Sequence, residues 1–551
     1  MPRDEEMTKK EKAVGLALCG AFAMIGVMSQ ANTTARWIEI AESVKPALKR
    51  ETMPPKQWVE TVADKTAFQG WKIRPVGPAA GVYDKPLKRG DSFILDFGQH
   101  IVGYLQFTLK FVGEAMDAPV RLKLVFAEVP AELAEPFDPY PGGLSRAWLQ
   151  DETINLDVLP ETVRLPRRYA FRYVKVSVVD TSPVFQVQFS DIRCETVTSG
   201  DESKIEALPD SLPGYFDQLD AVSIRTLRDC MQTVFEDGPK RDRRLWLGDL
   251  RLEAATNYLT FKNYDLVKRC LYLFAGFPRE DGLVVACLFE TPKAYRGHCS
   301  ILDYAAFFAP TLLDYARASG DWETARELWP VAKKQLDMLR YVNEDGLFID
   351  PGNWWIFIDW QAGLDKQASM HAVMVYSLRA TLELARAIQT EKEVEFISGM
   401  IQKMTAGARR FLWDEKTGFF VSGKNRQISW ASQAWMILAG IMTEKEGAAA
   451  LHALPTRADA VKPAGPYLYH HVVDAMVHCK MYSEARELLR GYWGRMIQDG
   501  ADTFWEVYDP ENPKLSPYNC HLVNSYCHAW SCTPAYFIRK YGHMLLGGEH
   551  P

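Results

Sequence analysis

The chain has 551 residues, of which 47% are hydrophobic and 24% charged, with a formal net charge of −6. This composition is that of a globular protein long enough for roughly two to four domains, and it excludes a strongly basic nucleic-acid-binding surface. No nucleic-acid-binding motif is present. Aromatic residues make up 12% of the chain, which suits either aromatic platforms for sugars or a large helical core.

The first 31 residues have the order of a secretory signal peptide. Lys9, Lys10 and Lys12 precede an apolar run at residues 13–28, and small residues up to Ala31 suit cleavage by signal peptidase. The apolar run is short for a stable membrane span. We therefore expect a secreted or periplasmic protein with no other membrane association. The alternative is a cytoplasmic protein with an ordinary N-terminal helix.

Residues 32–200 are predicted to hold an irregular lead-in and then a β-sandwich. Pro46, Pro54 and Pro55 interrupt the lead-in, which extends to about residue 75. From residue 91, apolar and β-forming runs alternate with turns that contain Gly or Pro. The predicted strands cover residues 92–97, 103–112, 120–126, 153–158, 163–165, 173–179 and 185–189. Several short strands in this arrangement indicate an antiparallel sandwich.

After residue 200 the apolar periodicity becomes helical and remains so to about residue 541. The predicted helices include residues 224–235, 304–315, 368–388, 393–411, 432–441 and 472–492. Many helices joined by short loops favour an (α/α)6 barrel over residues 201–545. The predicted fold class is therefore multidomain and mainly α, with an N-terminal antiparallel β-sandwich followed by the helical barrel.

A charged loop at residues 236–249 interrupts the helical pattern, with the sequence E-D-G-P-K-R-D-R-R-L-W-L-G-D. Gly238-Pro239 is predicted to end the preceding helix, and a new helix restarts near Asp249. One interpretation is a solvated connection with surface ion pairs. The length of the loop and the presence of Trp246 among the charges favour a functional loop instead.

Three other loops in the helical segment combine polar and aromatic residues. Each places a polar side chain within two positions of a tryptophan: Asp359 before Trp360, Glu506 after Trp505, and His528 before Trp530. Structural alternatives exist, namely a helix cap for Asp359, a surface charge for Glu506 and a core histidine for His528. Together the four loops favour a sugar-binding cleft, and two carboxyl groups are what acetal hydrolysis requires.

Other chemistries lack a sequence signal. No GxSxG, HExxH, P-loop or Rossmann fingerprint occurs. The ten cysteines include no C-x-x-C pair. Cys520, Cys527 and Cys532 lie close together, but their intervals do not match a zinc site. Free buried thiols or one disulfide among these three residues would both fit the sequence.

The order of a β-sandwich followed by a helical barrel, with this charged loop at the first barrel connection, resembles the α-L-rhamnosidases of glycoside hydrolase family 78. The likeness covers roughly residues 90–540. Supporting stretches are Leu95–Gly103, Asp359-Trp360, Thr503-Phe-Trp-Glu506 and Ser525-Tyr-Cys-His528.

The family's loop usually reads D-C-P-Q-R-D-E-R-x-G-W-T-G-D, with the Glu as general acid, and this chain is one residue shorter there. Counting back from W-x-G-D places Asp242 at that Glu, whereas counting forward from D-x-P places Arg243 there. Arginine cannot donate a proton because it stays charged. We therefore align Asp242 with the acid.

The resemblance implies an inverting α-L-rhamnosidase that releases terminal rhamnose from glycans or glycosides. Asp242 would be the general acid and Glu506 the general base. The substrate contacts that the resemblance implies are Asp237, Arg241, Trp246, Asp249, Trp354, Asp359, Trp360, Trp505 and His528. No metal or organic cofactor is implied. The alternatives are a barrel glycosidase with another sugar specificity and a non-catalytic carbohydrate-binding relative.

Overall fold

The computed structural model describes residues 32–83 and 85–547. Strands predominate in the first part of the chain and helices in the rest. The predicted signal peptide, residues 1–31, lies outside the described residues. The strands of the β-domain are β1 Lys49–Met53, β2 Gln57–Ala63, β3 Trp71–Pro78, β4 Ser92–Gly113, β5 Val120–Ala127, β6 Asp151–Leu156, β7 Glu161–Arg164, β8 Tyr169–Asp180 and β9 Phe185–Thr198.

The helices are α1 at residues 32–43, then α2 Ala131–Ala134, α3 Gly214–Cys230, α4 Leu247–Leu259, α5 Tyr264–Gly276, α6 Leu302–Ala306, α7 Phe308–Ser319, α8 Trp322–Lys334, α9 Gln367–Ala387, α10 Phe396–Phe411, α11 Trp430–Leu438, α12 Glu444–Ala453, α13 Pro466–His478, α14 Tyr482–Gln498 and α15 Pro534–Leu545. Short strands β10 Leu245–Trp246, β11 Cys287–Phe289, β12 Tyr295–Arg296, β13 Trp413–Asp414 and β14 Phe419–Phe420 lie among them. In the part of the chain that the structure describes, no helix combines the length and apolar character needed to cross a membrane.

Strand β4 organises the antiparallel β-domain. The sheet order is β1-β9-β4-β8-β5-β6, while β2 and β7 also pair with β4. The register of β4 against β8 shifts between Asp96 and Ile101. Gly98 lies in this shift at φ 83°, a left-handed conformation that only glycine adopts without steric cost. The predicted strands 92–97 and 103–112 are therefore one 22-residue strand, and the predicted antiparallel β-domain is confirmed.

The lead-in is more regular than the sequence analysis predicts. It contains α1 and strands β1 to β3, and Pro46, Pro54 and Pro55 fall between these elements instead of within them. Helix α1 packs on the helical domain, because Trp37 and Ala41 belong to that domain's hydrophobic core. Arg269 of α5 donates to the carbonyl oxygen of Ala41. The prediction of an irregular lead-in is thus wrong.

The helical domain is built from consecutive helix pairs whose second members contact one another in turn. Helix α4 contacts α7, α7 contacts α9, α9 contacts α11, and α11 contacts α13. The 3₁₀ turn Ala529–Ser531 contacts both α13 and α4, and α15 also packs against α4. These contacts form a closed circuit of helices, which is the arrangement that the (α/α)6 prediction requires.

Three predicted helices differ from the observed ones in their ends or continuity. Helix α3 ends at Cys230, before the predicted residue 235, because Met231 and Phe235 form a bridge. The predicted helix 304–315 is divided at Phe307 into α6 and α7. The predicted helix 472–492 is divided into α13 and α14, where Lys480 takes a left-handed conformation with φ 59°. Apolar periodicity continued across both divisions because the residues on each side are buried in the same core.

All nine cysteines within the described ranges are free thiols. This group includes Cys520, Cys527 and Cys532, and all three are buried. Of the two alternatives that the sequence left open, the structure therefore shows free buried thiols.

Candidate active site

Four loops at one end of the helical circuit enclose a cavity of about 260 Å³. Of the residues predicted from sequence, it is lined by Asp237, Arg241, Asp242, Trp246, Asp249, Trp360, Glu506 and His528. Three larger clefts, of about 370, 480 and 730 Å³, contain neither Asp242 nor Glu506. The convergence of buried carboxyl groups, rather than size, marks this cavity as the candidate active site.

The charged loop is buried, so its interpretation as a solvated connection is wrong. Lys240 is 0% exposed and Arg241 1% exposed. The Nε of Arg241 donates to the carbonyl oxygen of Val523 over 2.7 Å, and its Nη2 donates to Glu506. The guanidinium also lies 4.3 Å from the ring centre of Tyr518. These partners come from more than two hundred residues away in sequence, and they compensate the cost of burying the charge.

Glu506 is held by three donors and is 2% exposed. Its Oε2 accepts from Arg241 and from the backbone N–H of Ser525 at 3.2 Å. Its Oε1 accepts from the hydroxyl of Tyr518 at 2.5 Å. The backbone N–H of Glu506 donates to the Ser525 carbonyl oxygen at 3.0 Å. The carboxylate is therefore fixed in both position and orientation at the cavity wall.

Asp237 and Asp242 are two neighbouring carboxyl groups that line the same cavity. The backbone N–H of Asp242 donates to Asp237 Oδ2 at 3.4 Å. Burial, and then the neighbouring Asp242 carboxylate, raise the pKa of Asp237 to about 8. Asp242 itself lies 3.8 Å from Arg241 Nη1 and 3.6 Å from Arg244 Nη1. Because two adjacent carboxylates resist sharing two charges, the pair retains one proton near neutral pH.

Asp249 and His528 are neighbouring polar residues of the cavity lining. His528 Nδ1 lies 4.0 Å from Asp249 Oδ1, and the hydroxyl of Tyr304 donates to Asp249 Oδ2 at 3.1 Å. Burial, and then the charge of Asp237, raise the pKa of Asp249 well above its usual value. Burial, and then Arg241, lower the pKa of His528 well below its usual value, so the ring is neutral. Within the described chain, Nδ1 of His528 has no hydrogen-bond partner, and it is thus available to a substrate hydroxyl.

The aromatic wall differs from the predicted one. Besides Trp246 and Trp360, the cavity is lined by Tyr304, Trp355, Phe357, Tyr518 and Trp530. Trp530 stood in the sequence motif that contains His528, and Trp355 is the neighbour of the predicted Trp354. Tyr518 follows a proline in a loop without any regular pattern, so no sequence signal singled it out.

Three predicted contacts lie outside the cavity lining. Trp354 donates through Nε1 to the hydroxyl of Tyr341 at 3.1 Å and packs under a guanidinium. Trp505 is 1% exposed and packs against Phe68, with ring centres 4.3 Å apart. These two tryptophans therefore support the loops from outside the cavity, whereas their sequence neighbours Trp355 and Glu506 line it.

Asp359 is the third residue outside the lining, and it lies behind Trp360. Its Oδ2 accepts from the backbone N–H of Ala464 at 2.7 Å. Its Oδ1 has no hydrogen-bond partner among the residues that the structure describes. Burial raises the pKa of Asp359 to about 7. Its position next to a cavity tryptophan makes it a support for the wall rather than a direct lining residue.

One cluster of metal-ligand type lies below the cavity among the described residues. Ligand atoms of His100, Asp229 and Cys527 all lie within 4.8 Å of one another. Both ring nitrogens of His100 are engaged by carboxylates, Nδ1 by Asp229 at 2.7 Å and Nε2 by Glu128 at 3.1 Å. We therefore interpret the cluster as a buried ion network rather than a metal site.

Two family models match the chain. Residues 55–196 match the glycosyl hydrolase family 78 alpha-rhamnosidase N-terminal domain. Residues 214–541 match the bacterial alpha-L-rhamnosidase 6 hairpin glycosidase domain. No match was found among curated proteins.

Solved structures show the same likeness. A rhamnosidase from Klebsiella oxytoca with rhamnose bound is 46% identical, with a TM-score of 0.90 over 92% of this chain and 99% of that chain. A family 78 rhamnosidase of Bacillus sp. GL1 is 22% identical, with a TM-score of 0.71 over 85% of this chain and 49% of that one. An alpha-L-rhamnosidase from Streptomyces avermitilis complexed with L-rhamnose is 16% identical, with a TM-score of 0.63 over 91% of this chain and 44% of that one. The last two show the fold alone.

The second family model spans the helical circuit and all four cavity loops, and the 46% identical structure extends over both domains. Together with the carboxyl groups that converge on the cavity, these matches identify the chain as a member of the bacterial α-L-rhamnosidases of glycoside hydrolase family 78.

Proposed function

We propose that the protein hydrolyses terminal α-L-rhamnosides with inversion at the anomeric carbon, and that Asp242 and Glu506 are its catalytic pair. The observation that carries this proposal is the position of Arg241. Its guanidinium contacts both Glu506 and Asp242, and all three residues line one cavity. The two carboxyl groups therefore share a single cation at the same cavity, and an inverting glycosidase needs an acid and a base that flank the scissile bond.

Asp242 is the proton donor in this proposal. It lines the cavity beside Asp237, and the pair retains one proton because burial and mutual repulsion raise the pKa of Asp237 to about 8. In the resting enzyme this proton lies on Asp237. Asp242 takes that proton and gives it to the glycosidic oxygen as the bond from this oxygen to the anomeric carbon breaks.

Glu506 is the general base. A water molecule attacks the anomeric carbon from the face opposite the leaving group, and Glu506 removes a proton from it. The products are the free alcohol and β-L-rhamnose, with Asp237 and Asp242 both ionised and Glu506 protonated. Proton exchange with solvent then returns a proton to Asp237 and removes one from Glu506 for the next turnover.

The remaining lining residues hold the sugar. Asp249 and neutral His528 offer acceptors and donors to hydroxyl groups, and Trp360, Trp246 and Trp530 cover the apolar faces of the ring. The cavity of about 260 Å³ lies just below the range of roughly 300–1,000 Å³ typical of drug-sized ligands. It therefore suits one terminal sugar unit, with the leaving group outside.

The test is hydrolysis of aryl α-L-rhamnoside beside a panel of other aryl glycosides, with the first product anomer followed by NMR. β-Rhamnose as first product supports the proposal, whereas α-rhamnose contradicts the inversion. Turnover of another sugar only would contradict the specificity. Asp242→Asn should lose less activity on substrates with acidic leaving groups than on those with basic ones, because acidic leaving groups need no proton. Glu506→Gln should lose activity equally on both.

We also propose that the protein is exported. This rests on the basic, apolar and small-residue order of residues 1–31. Expression of the full chain in a bacterium, followed by cell fractionation and N-terminal sequencing, tests it. A periplasmic or secreted protein that begins near Asn32 supports export. A cytoplasmic protein that begins at Met1 or Met7 overturns it.

A further inference from the structure

The β-domain reaches beneath the active site through the segment that follows strand β5. Glu128 and Glu132 lie on this segment, and their side chains are 1% and 2% exposed. Buried carboxylates are costly unless they are fully paired. Two of their partners lie in the helical domain, Lys240 in the loop of Asp242 and Tyr526 in the loop of His528.

A single carboxylate, that of Glu128, contacts both loops. Its Oε2 accepts from the backbone N–H of Tyr526 at 2.7 Å and lies 3.3 Å from Lys240 Nζ. Its Oε1 lies 3.1 Å from His100 Nε2. Tyr526 belongs to the loop of His528, and Lys240 to the loop of Asp242. Glu128 therefore links the two loops at a point outside the cavity lining.

Glu132 and Lys240 belong with Glu128 and His100 to one group of buried charged residues, which we call the joint. Lys240 Nζ donates to Glu132 Oε1 and to the carbonyl oxygen of Asn524, both at 2.5 Å. Glu132 Oε2 accepts from the backbone N–H of Glu128 at 2.6 Å. Burial disfavours a charged His100, but Cys527, Asp229 and Glu128 outweigh it and raise the pKa of His100 well above its usual value. The charges are thus balanced within the joint.

The joint is adjacent in sequence to two of the three donors that hold the proposed base. Ser525, whose backbone N–H donates to Glu506, directly precedes Tyr526. Arg241, which donates to Glu506 and to the carbonyl oxygen of Val523, directly follows Lys240. A displacement of Tyr526 or Lys240 is therefore passed along one peptide bond to the donors of Glu506.

We propose that Glu128 is a positioning residue for catalysis, so that the β-domain sets the geometry of an active site whose acid and base it does not supply. The inference rests on the proposed function of Asp242 and Glu506. It predicts that a change of Glu128, which does not touch the cavity, slows the chemical step more than it weakens sugar binding.

Glu128→Gln is the sharpest perturbation. Both carboxylate oxygens accept from N–H groups, whereas an amide has one acceptor oxygen and a nitrogen that only donates. With its nitrogen toward Tyr526, the amide meets a backbone N–H donor and that contact is lost. With its nitrogen toward His100, the amide can donate only if Nε2 gives up its proton, so the ion pair with His100 is lost. Loss of a hydrogen bond to a charged group corresponds to about tenfold or more in rate.

The matched control is Asp220→Asn. Asp220 is a buried carboxylate paired with both Nε and Nη2 of Arg539 at 2.7 Å, and it joins α3 to α15 away from the cavity. Both variants should lower the melting temperature. Only Glu128→Gln should lower kcat by about tenfold or more, with KM changed less than about threefold.

Wild-type turnover tests the proposed function, while the ratio of variant to wild type tests this inference. If the wild type turns over no rhamnoside, the proposed function fails. The inference is then tested by titration with L-rhamnose, for which Glu128→Gln should weaken binding more than Asp220→Asn does.

Equal loss of kcat in both variants, or kcat of Glu128→Gln within twofold of wild type, overturns the positioning role. In the titration with L-rhamnose, equal affinity of the two variants also overturns the positioning role. If Glu128→Gln does not fold, Glu128→Asp replaces it, because it keeps the charge near Lys240 but withdraws the oxygen from the Tyr526 amide. Failure of both to fold also overturns the proposal, in favour of a purely structural role.

Discussion

The proton that Asp237 and Asp242 share can be tested by the substitution Asp237→Asn. The substitution keeps the size of the side chain but removes its charge and its proton. In the wild type, one proton should remain on the pair up to pH values near 8, because burial and then Asp242 raise the pKa of Asp237 to about 8. The alkaline limb of kcat/KM against pH should therefore lie near that value.

The expected shift of the alkaline limb follows from the loss of the carboxyl group next to Asp242. In the variant, Asp242 has no carboxylate neighbour to share a proton with, but Arg241 and Arg244 remain within 3.8 and 3.6 Å. Because the variant lacks the carboxyl group whose pKa is about 8, we expect the alkaline limb to move down by about two pH units, so that activity at pH 7 falls by about tenfold and recovers near pH 5.

The assay is kcat/KM for an aryl α-L-rhamnoside between pH 4 and 9, with Asp220→Asn as a control for loss of a buried carboxylate elsewhere. The control should keep the wild-type limb. An alkaline limb that does not move in Asp237→Asn would refute the shared proton. A uniform loss at every pH would assign Asp237 to sugar binding alone.

Further predictions concern the base, the aromatic wall and pH-dependent stability. Tyr518→Phe should lower kcat by roughly 10- to 150-fold, because it removes a 2.5 Å hydrogen bond to Glu506 worth about 1.5–3 kcal/mol; unchanged kcat would contradict this role. Trp360→Ala should raise KM, and Trp354→Ala should affect melting temperature more than KM, since only Trp360 lines the cavity; similar KM values would contradict the assignment. Burial raises the pKa of Asp359 to about 7, so the folded state holds a proton that the unfolded chain releases near pH 4. The wild type should therefore lose unfolding free energy as pH rises from 4 to 7, by up to about 1.4 kcal/mol per pH unit more than Asp359→Asn in denaturant titrations; equal slopes would contradict it.

The order of the two domains and the location of the functional loops could be predicted from the sequence. Residue alternation and helical periodicity are local properties, so the change from strands to helices after residue 200 is visible without any tertiary contact. The charged loop at residues 236–249 and the Trp-carboxylate motif at Glu506 stand out for the same reason. The order of these motifs also carried the resemblance to family 78, which the family models confirm.

The contents of the cavity could not be predicted to the same extent, because they depend on contacts between distant residues. Periodicity alone does not tell which of two adjacent tryptophans faces a cavity, and the structure places Trp355 rather than Trp354 in its wall. Tyr518 lies in a loop without a pattern, yet it holds Glu506. The turn at Lys480 was also hidden, since the helices on both sides bury apolar residues in one core.

The sequence by itself thus determined the domain order, the family resemblance and most of the polar residues of the site. Only the tertiary structure decided that Lys240 and Arg241 of the loop are buried, that Asp237 holds a proton beside Asp242, and that Glu128 of the β-domain contacts both the loop of Asp242 and the loop of His528. The physical reason is that burial, pKa shifts and ion pairing depend on distances between residues far apart in the chain, which no local pattern records.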